Sequence, residues 1–223
     1  VAARSRARRG VGEGLVRDGE DRERTPRGAS RARRRSSRRR RLPSGRPRRP
    51  PESDEASADA KLWFEEGLTR FAAGDRVGAE GAWQRAVEID PSLTEAWNGL
   101  GRVQVVEGRP AEAAASFRKA IAQRRDHHEA WYLLGNAEES QGDHTAAAAA
   151  YERAVGLAPG MADAWNNLGN VYHAIGRAED AVNCYRKAIE LAPDDLVEAW
   201  ANLADSLVEI RRTEEALETY RRT

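Results

Sequence analysis

Asparagine is the residue type whose placement in this 223-residue chain points most directly to chemistry. Asn136 and Asn170 stand 34 residues apart, Asn167 and Asn202 stand 35 apart, and Asn98 precedes Asn166 by two such intervals. A carboxamide carries a donor and an acceptor side by side, so it can pair with the C=O and N–H of a peptide together. A row of them would hold an extended backbone largely without regard to its side chains. The usual catalytic types show no comparable order. His127 and His128 are adjacent, and neighbours on a helix project about 100° apart. No Cys or second His falls at metal-ligand spacing, and His144 and His173 stand apart from both. Cys184 is the only cysteine, with no His close in sequence to activate it. Neither G-x-G-x-x-G nor a Walker sequence occurs. No catalytic, metal-binding or cofactor-binding residue is therefore expected, and the chain reads as noncatalytic.

The elements that must position these asparagines follow the same interval. Trp63, Trp97, Trp131 and Trp165 are spaced by 34, and Trp200 follows after 35. Gly67, Gly101, Gly135 and Gly169 keep step, with Ala204 in the fifth place. So do Ala79, Ala113, Ala147, Ala181 and Ala216, and the aromatics Trp83, Phe117, Tyr151, Tyr185 and Tyr220. A fixed period of this size means stacked supersecondary units, each too small to bury its own apolar face. In the fourth unit Trp165, Leu168, Gly169 and Tyr172 fall at i, i+3, i+4, i+7, one face of a helix. Gly176 and Arg177 break it, Ala181, Tyr185 and Ala188 continue on a second helix, and Pro193 ends that one. Each unit is a helical hairpin. A mid-helix glycine costs roughly 1 kcal/mol relative to alanine. The expected reason is close helix crossing, with small residues facing each other at the eighth and twentieth positions of each unit.

Charge divides the chain. Residues 1–51 hold 19 Arg and 5 acidic residues, whereas residues 52–223 hold 18 basic and 31 acidic ones. The first segment has no aromatic residue and few large aliphatics, too little to offset the entropy of ordering it, so it is expected to be disordered. Its Arg, Pro, Gly, Ser and Ala are also what GC-rich DNA yields when translated upstream of a true start. No apolar run is long enough to cross a bilayer, and no secretory leader is evident. Cytoplasm is the default expectation, and no membrane partner is expected.

These positions together resemble the tetratricopeptide repeat (TPR) pattern W-x2-L-G-x2-Y, then A-x3-F/Y-x2-A, then P. The segment DAWNNLGNVYHAIGRAEDAVNCYRKAIELAP matches throughout. The resemblance implies an all-α, right-handed solenoid of about five helix-turn-helix repeats, preceded by the Arg-rich segment. The domain boundaries are then 1–58 for the disordered part and 59–223 for the array. Its units are 60–93, 94–127, 128–161, 162–196 and a truncated 197–223, with the extra residue in the link Asp194-Asp195-Leu196. The fifth unit ends without a polar cap, so a continuation past Thr223 is expected.

The resemblance also implies that the first helices line a concave surface, onto which positions 2, 5, 6, 9, 12 and 13 of each unit point. The candidate peptide-binding residues are Asn98, Arg102, Tyr132, Asn136, Asn166, Asn167, Asn170, His173, Asn202 and Asp205. The expected activity is that of a protein-binding scaffold taking an extended, neutral to basic protein or peptide segment. TPR domains that clamp a terminal carboxylate place Lys or Arg at positions 2, 5 and 6. Here the second position carries Glu95, Glu129, Asp163 and Glu198, which disfavours that ligand. An asparagine-lined groove is similar to that of TPR arms in O-linked N-acetylglucosamine transferases, so the array as the substrate-recruiting arm of a larger enzyme is the alternative. A nucleic-acid tether through the Arg-rich tail is a weaker one, since that tail has no aromatic for base stacking.

Overall fold

The computed structural model describes residues 52–193 and 197–222, with side chains from Glu55 onward. The Arg-rich segment 1–51 and the link 194–196, on which two of the expectations above fall, lie outside the described residues. Among the described residues there are ten helices and no strand. They are α1 (Glu52–Ala72), α2 (Arg76–Ile89), α3 (Thr94–Val106), α4 (Pro110–Gln123), α5 (His128–Glu139), α6 (His144–Leu157), α7 (Ala162–Ala174), α8 (Ala178–Leu191), α9 (Val197–Glu209) and α10 (Thr213–Tyr220). One boundary differs from expectation. Residues 52–58, assigned above to the irregular tail, form the first turns of α1. The sequence there has no Gly or Pro and has Ala at 56, 58 and 60, so local propensity extends the helix.

Each odd helix packs against the even helix that follows it, and each even helix against the next odd one. Odd helices also approach one another across units, in the pairs α1 with α3, α3 with α5 and α7 with α9, whereas no two even helices pack together to the same extent. A stack that curves brings its inner row together and spreads its outer row. The odd helices therefore form the inner row, and residues pointing away from the even helices lie on the concave side.

What closes each of the first four hairpins is an aromatic ring resting on a glycine. A Cβ built on Gly135 would sit 2.5 Å from the Tyr151 ring, one on Gly101 2.5 Å from Phe117, and one on Gly169 2.6 Å from Tyr185. In the first unit the ring is Trp83, 2.3 Å from the corresponding point on Gly67 and 2.8 Å from that on Gly99 of the next unit. The glycine makes room for the large ring of the partner helix, and that ring is buried: Phe117 and Tyr151 at 0 %, Tyr185 at 1 % exposure. The repeated alanines, all fully or nearly fully buried, fill the remaining contact.

The tryptophans do a second job. Trp97, Trp131, Trp165 and Trp200 are half-buried, and each donates its indole N–H to a backbone carbonyl in the link before its own helix. The acceptors are Pro91 at 2.9 Å, Arg125 at 3.0 Å, Pro159 at 2.9 Å and Pro193 at 3.3 Å. Arg125 stands where the repeat usually has proline, and its carbonyl serves equally. The carbonyl is what the indole needs. The turns within hairpins take positive φ at Gly74, Gly108, Gly142 and Gly176, and Arg211 adopts 62° at the fifth, a conformation that disfavours a side chain.

Because the ring needs the missing Cβ, Gly135→Ala should destabilise the protein by about 1–3 kcal/mol. Helix propensity alone predicts a gain of roughly 1 kcal/mol. The sign of the shift in a denaturant melt separates the two.

Candidate peptide-binding face

The concave side is built from the ninth and sixth positions of successive units. In the third and fourth units the ninth residue is asparagine, and the ring closing the same hairpin is a tyrosine whose hydroxyl reaches it. Tyr185 donates to Asn170 Oδ1 at 2.9 Å. Tyr151 places its hydroxyl 2.7 Å from both Asn136 Oδ1 and Glu139 Oε2, so one proton is shared between two acceptors. A buried phenol needs such a partner. Burial, together with the acceptor Glu139, pushes the Tyr151 hydroxyl far above the usual phenol range.

The same two asparagine oxygens accept a second bond from the next unit. Asn167 Nδ2 donates to Asn136 Oδ1 at 3.2 Å, and Asn202 Nδ2 donates to Asn170 Oδ1 at 3.1 Å. Asn167 Nδ2 also lies 3.4 Å from the hydroxyl of Tyr132, whose ring is tilted against Tyr151 at 6.0 Å between centroids. Neither Asn136 nor Asn170 therefore keeps a whole carboxamide for a ligand, as the sequence reading supposed. Their Oδ1 atoms are occupied while their Nδ2 groups are unpartnered. Conversely, Asn167 and Asn202 spend an N–H and keep Oδ1. Each cross-unit pair thus presents one fixed donor and one fixed acceptor.

The remaining candidates fall into two groups. At the C-terminal end, Tyr220 donates its hydroxyl to Asp205 Oδ1, and His173 Nδ1 lies 3.2 Å from Ser206 Oγ and 3.4 Å from Glu209 Oε2. Asn166 is half-buried, and its Oδ1 has no partner. Toward the N-terminal end, Arg102 pairs with Glu129 at 3.3 Å, and Glu95 with Arg124 at 3.3 Å. Two of the four acids on the second position are thus neutralised, while Asp163 and Glu198 have no ion pair. The negative character of this face lies toward the C-terminal units. Asn98 is buried at 8 % exposure with Oδ1 unpartnered.

Several contributors are not candidates from the sequence: Tyr151 and Tyr185, which pin the asparagines, and Leu68, Trp83 and His127, which line the same hollow as Asn98. A signal for the first group was present. The ninth position and the closing ring change together, as Leu68 with Trp83, Arg102 with Phe117, Asn136 with Tyr151, Asn170 with Tyr185, and Asp205 with Tyr220. Polar residues that accept a hydroxyl appear where the ring has one. Cys184 is buried, and burial pushes its thiol up to about 12, which favours the protonated form. Among the described residues no three His, Cys, Asp or Glu side chains gather as a metal site.

Family models described as tetratricopeptide repeat match residues 64–124, 98–162, 162–195 and 184–218. Comparison with curated proteins gives no match. Among solved structures, two crystal structures of MamA are similar. One is 27 % identical at a TM-score of 0.70, covering 74 % of this chain and 89 % of MamA. The other is 28 % identical at 0.67, covering 70 % and 91 %. YrrB, described as a TPR protein with an unusual peptide-binding site, is 23 % identical at 0.69, covering 76 % and 87 %.

Two outcomes follow from this geometry. Asn170→Ala leaves the Tyr185 hydroxyl buried and unpaired and should cost about 1–3 kcal/mol, whereas Tyr185→Phe leaves Asn170 with Asn202 and should cost about 1 kcal/mol or less. Urea unfolding of both variants reads the asymmetry. His127 caps α5 by accepting the Ala130 N–H at 3.4 Å, and burial, then Arg124, lowers its pKa. A folded-state pKa below the unfolded value of about 6.5 means this contribution is full above that pH and lost as pH falls through the folded value. His127→Asn, which keeps an acceptor that does not titrate, should flatten the fall in melting temperature between about pH 7 and pH 5.

Proposed function

This chain belongs to the tetratricopeptide repeat family, and we propose that it is a protein-interaction scaffold holding an extended peptide along its concave face. The observation that carries the reading is the pair of cross-unit carboxamide couples, Asn136 with Asn167 and Asn170 with Asn202. Each offers an N–H from one residue and a C=O from the next, held by the tyrosine and cross-unit bonds. An extended backbone offers the complementary groups at a repeating interval. Preorganisation of this kind lowers the entropy lost on binding. YrrB's peptide-binding description belongs to YrrB, whose likeness supports the fold; the functional argument rests on the carboxamides.

Charge sets the composition of the segment. Asp163 and Glu198 line the face without a cation, while the acids nearer the N-terminus are paired with Arg102 and Arg124. A segment neutral at one end and basic at the other matches that field.

The test uses the sixth-position residues, because Asn136 and Asn170 also hold the hairpins together. Asn167→Ala with Asn202→Ala leaves both tyrosine bonds in place. The double variant should weaken a peptide selected on the full chain by about 1–3 kcal/mol, measured by fluorescence anisotropy, with little change in melting temperature. Unchanged affinity would rule the couples out as recognition groups.

A further inference from the structure

The five tryptophans of the repeat differ in what covers them. Four carry a cation of the chain over the ring: Arg85 over Trp63 at 4.8 Å, Lys119 over Trp97 at 4.0 Å, Arg153 over Trp131 at 5.7 Å and Arg222 over Trp200 at 5.7 Å. All four cations hold the twenty-sixth place of their units. The fourth unit departs from this. Its residue at that place, Lys187, is held by Glu190 at 2.9 Å, three positions further along α8. Among the described residues, Trp165 is the one repeated tryptophan with no cation over its ring.

Trp165 lines a groove of about 410 Å³, together with Leu168 on α7, Glu152 and Val155 on α6, and Asp180 on α8. Two of these three helices are even, so the groove belongs to the outer side of the stack. The equivalent groove one unit on, between α8, α9 and α10, is smaller, at about 230 Å³. Its lining includes both Trp200 and Arg222, the cation that covers it. The place filled there by a side chain of the chain is open beside Trp165. A second cation is also replaced. The twenty-fifth residue of the preceding unit reaches across the junction as Arg118, 2.6 Å from Glu138, and as Arg186, 2.7 Å from Glu215. At the junction that holds Trp165 this residue is Glu152.

The groove therefore holds one negative charge without a counter-ion. Asp180 pairs with Arg177 at 2.8 Å, whereas Glu152 has no ion pair and only accepts the Tyr172 hydroxyl, at 2.5 Å. Glu152 is exposed and Trp165 half-buried, so both are open to a ligand. A neutral side chain would leave Glu152 uncompensated, and an acidic one would be repelled. We propose that this groove binds the side chain of a lysine or arginine from a partner protein, with its alkyl stem on Val155 and Leu168 and its cation over the Trp165 ring beside Glu152. Such side chains lay their stems on apolar surface while the charged head stays near water, and the indole face attracts the head. The precedent is internal, since Lys119 and Arg222 cover Trp97 and Trp200 in this way. The groove lies on the other side of the stack from the carboxamide couples and does not depend on them.

The experiment titrates the full chain at low salt with n-butylguanidinium, n-butylammonium and the neutral n-butylurea, following the indole N–H resonances by NMR. Loss of one signal in Trp165→Phe assigns it. The proposal expects both cations to shift the Trp165 signal saturably, n-butylurea to leave it in place, and the indoles already covered to move less. Acetyl-arginine methylamide, which carries the same cation on a peptide backbone, should bind at least as tightly as n-butylguanidinium. Glu152→Gln, which keeps an acceptor for Tyr172, should weaken n-butylguanidinium about threefold. Glu152→Arg, which restores the residue type of Arg118 and Arg186, should abolish the saturable shift. A Trp165 signal that stays still, moves equally with n-butylurea or is indifferent to the Glu152 variants would overturn the site. Binding of the small cations with exclusion of acetyl-arginine methylamide would overturn the partner side chain as its occupant.

Discussion

An aromatic ring seated on a glycine of the facing helix is the contact on which this molecule depends. It sets how closely two helices of a unit cross, and so where the concave positions lie relative to one another. Neither partner of the contact can change alone. A side chain on Gly101, Gly135 or Gly169 would collide with the ring, and loss of the ring would leave a void in a core otherwise made largely of alanine. The indole bonds of the tryptophans then fix each hairpin to the link before it, and the period is propagated from unit to unit.

The polar face grows out of that core. When the seated ring is tyrosine, its hydroxyl emerges at the edge of the concave surface and has to be paired. Asn136 and Asn170 pair it, and in doing so are turned so that Nδ2 is left over. The next unit's Asn167 or Asn202 completes the oxygen's bonding and is itself turned so that Oδ1 is left over. The free carboxamide atoms of this face are thus by-products of satisfying a buried phenol. Where the ring is Trp83, no hydroxyl emerges, its indole N–H is spent on a backbone carbonyl, and the surface is a hollow instead of a pair of amides. One substitution in the core changes the chemistry of the face above it.

Much of this was legible in the sequence. The intervals among Trp63, Gly67, Ala79 and Trp83 and their counterparts identify the hairpins, because each unit solves the same packing problem with the same residues. The candidate asparagines could be placed on one face for the same reason. Their polarity could not, since which carboxamide atom is free depends on distances between units. The hollow beside Asn98 was also hidden. It arises from Trp83 and Gly99 of different units, and periodicity compares equivalent positions without saying which unequal ones touch. The start of α1 was misplaced because the boundary followed the repeat, whose first unit begins at residue 60, whereas local helix propensity carries the helix back to Glu52.

The central claim is that Asn136 and Asn170 present donors, and Asn167 and Asn202 acceptors, to one bound backbone. Side-chain amide resonances of these four residues, followed by NMR as a selected peptide is added to the full chain, test it most directly. The account predicts that the Nδ2 protons of Asn136 and Asn170 shift downfield and become protected from exchange, while those of Asn167 and Asn202 move less. Saturable binding that leaves all four unmoved, with perturbations confined to the even helices, would contradict it.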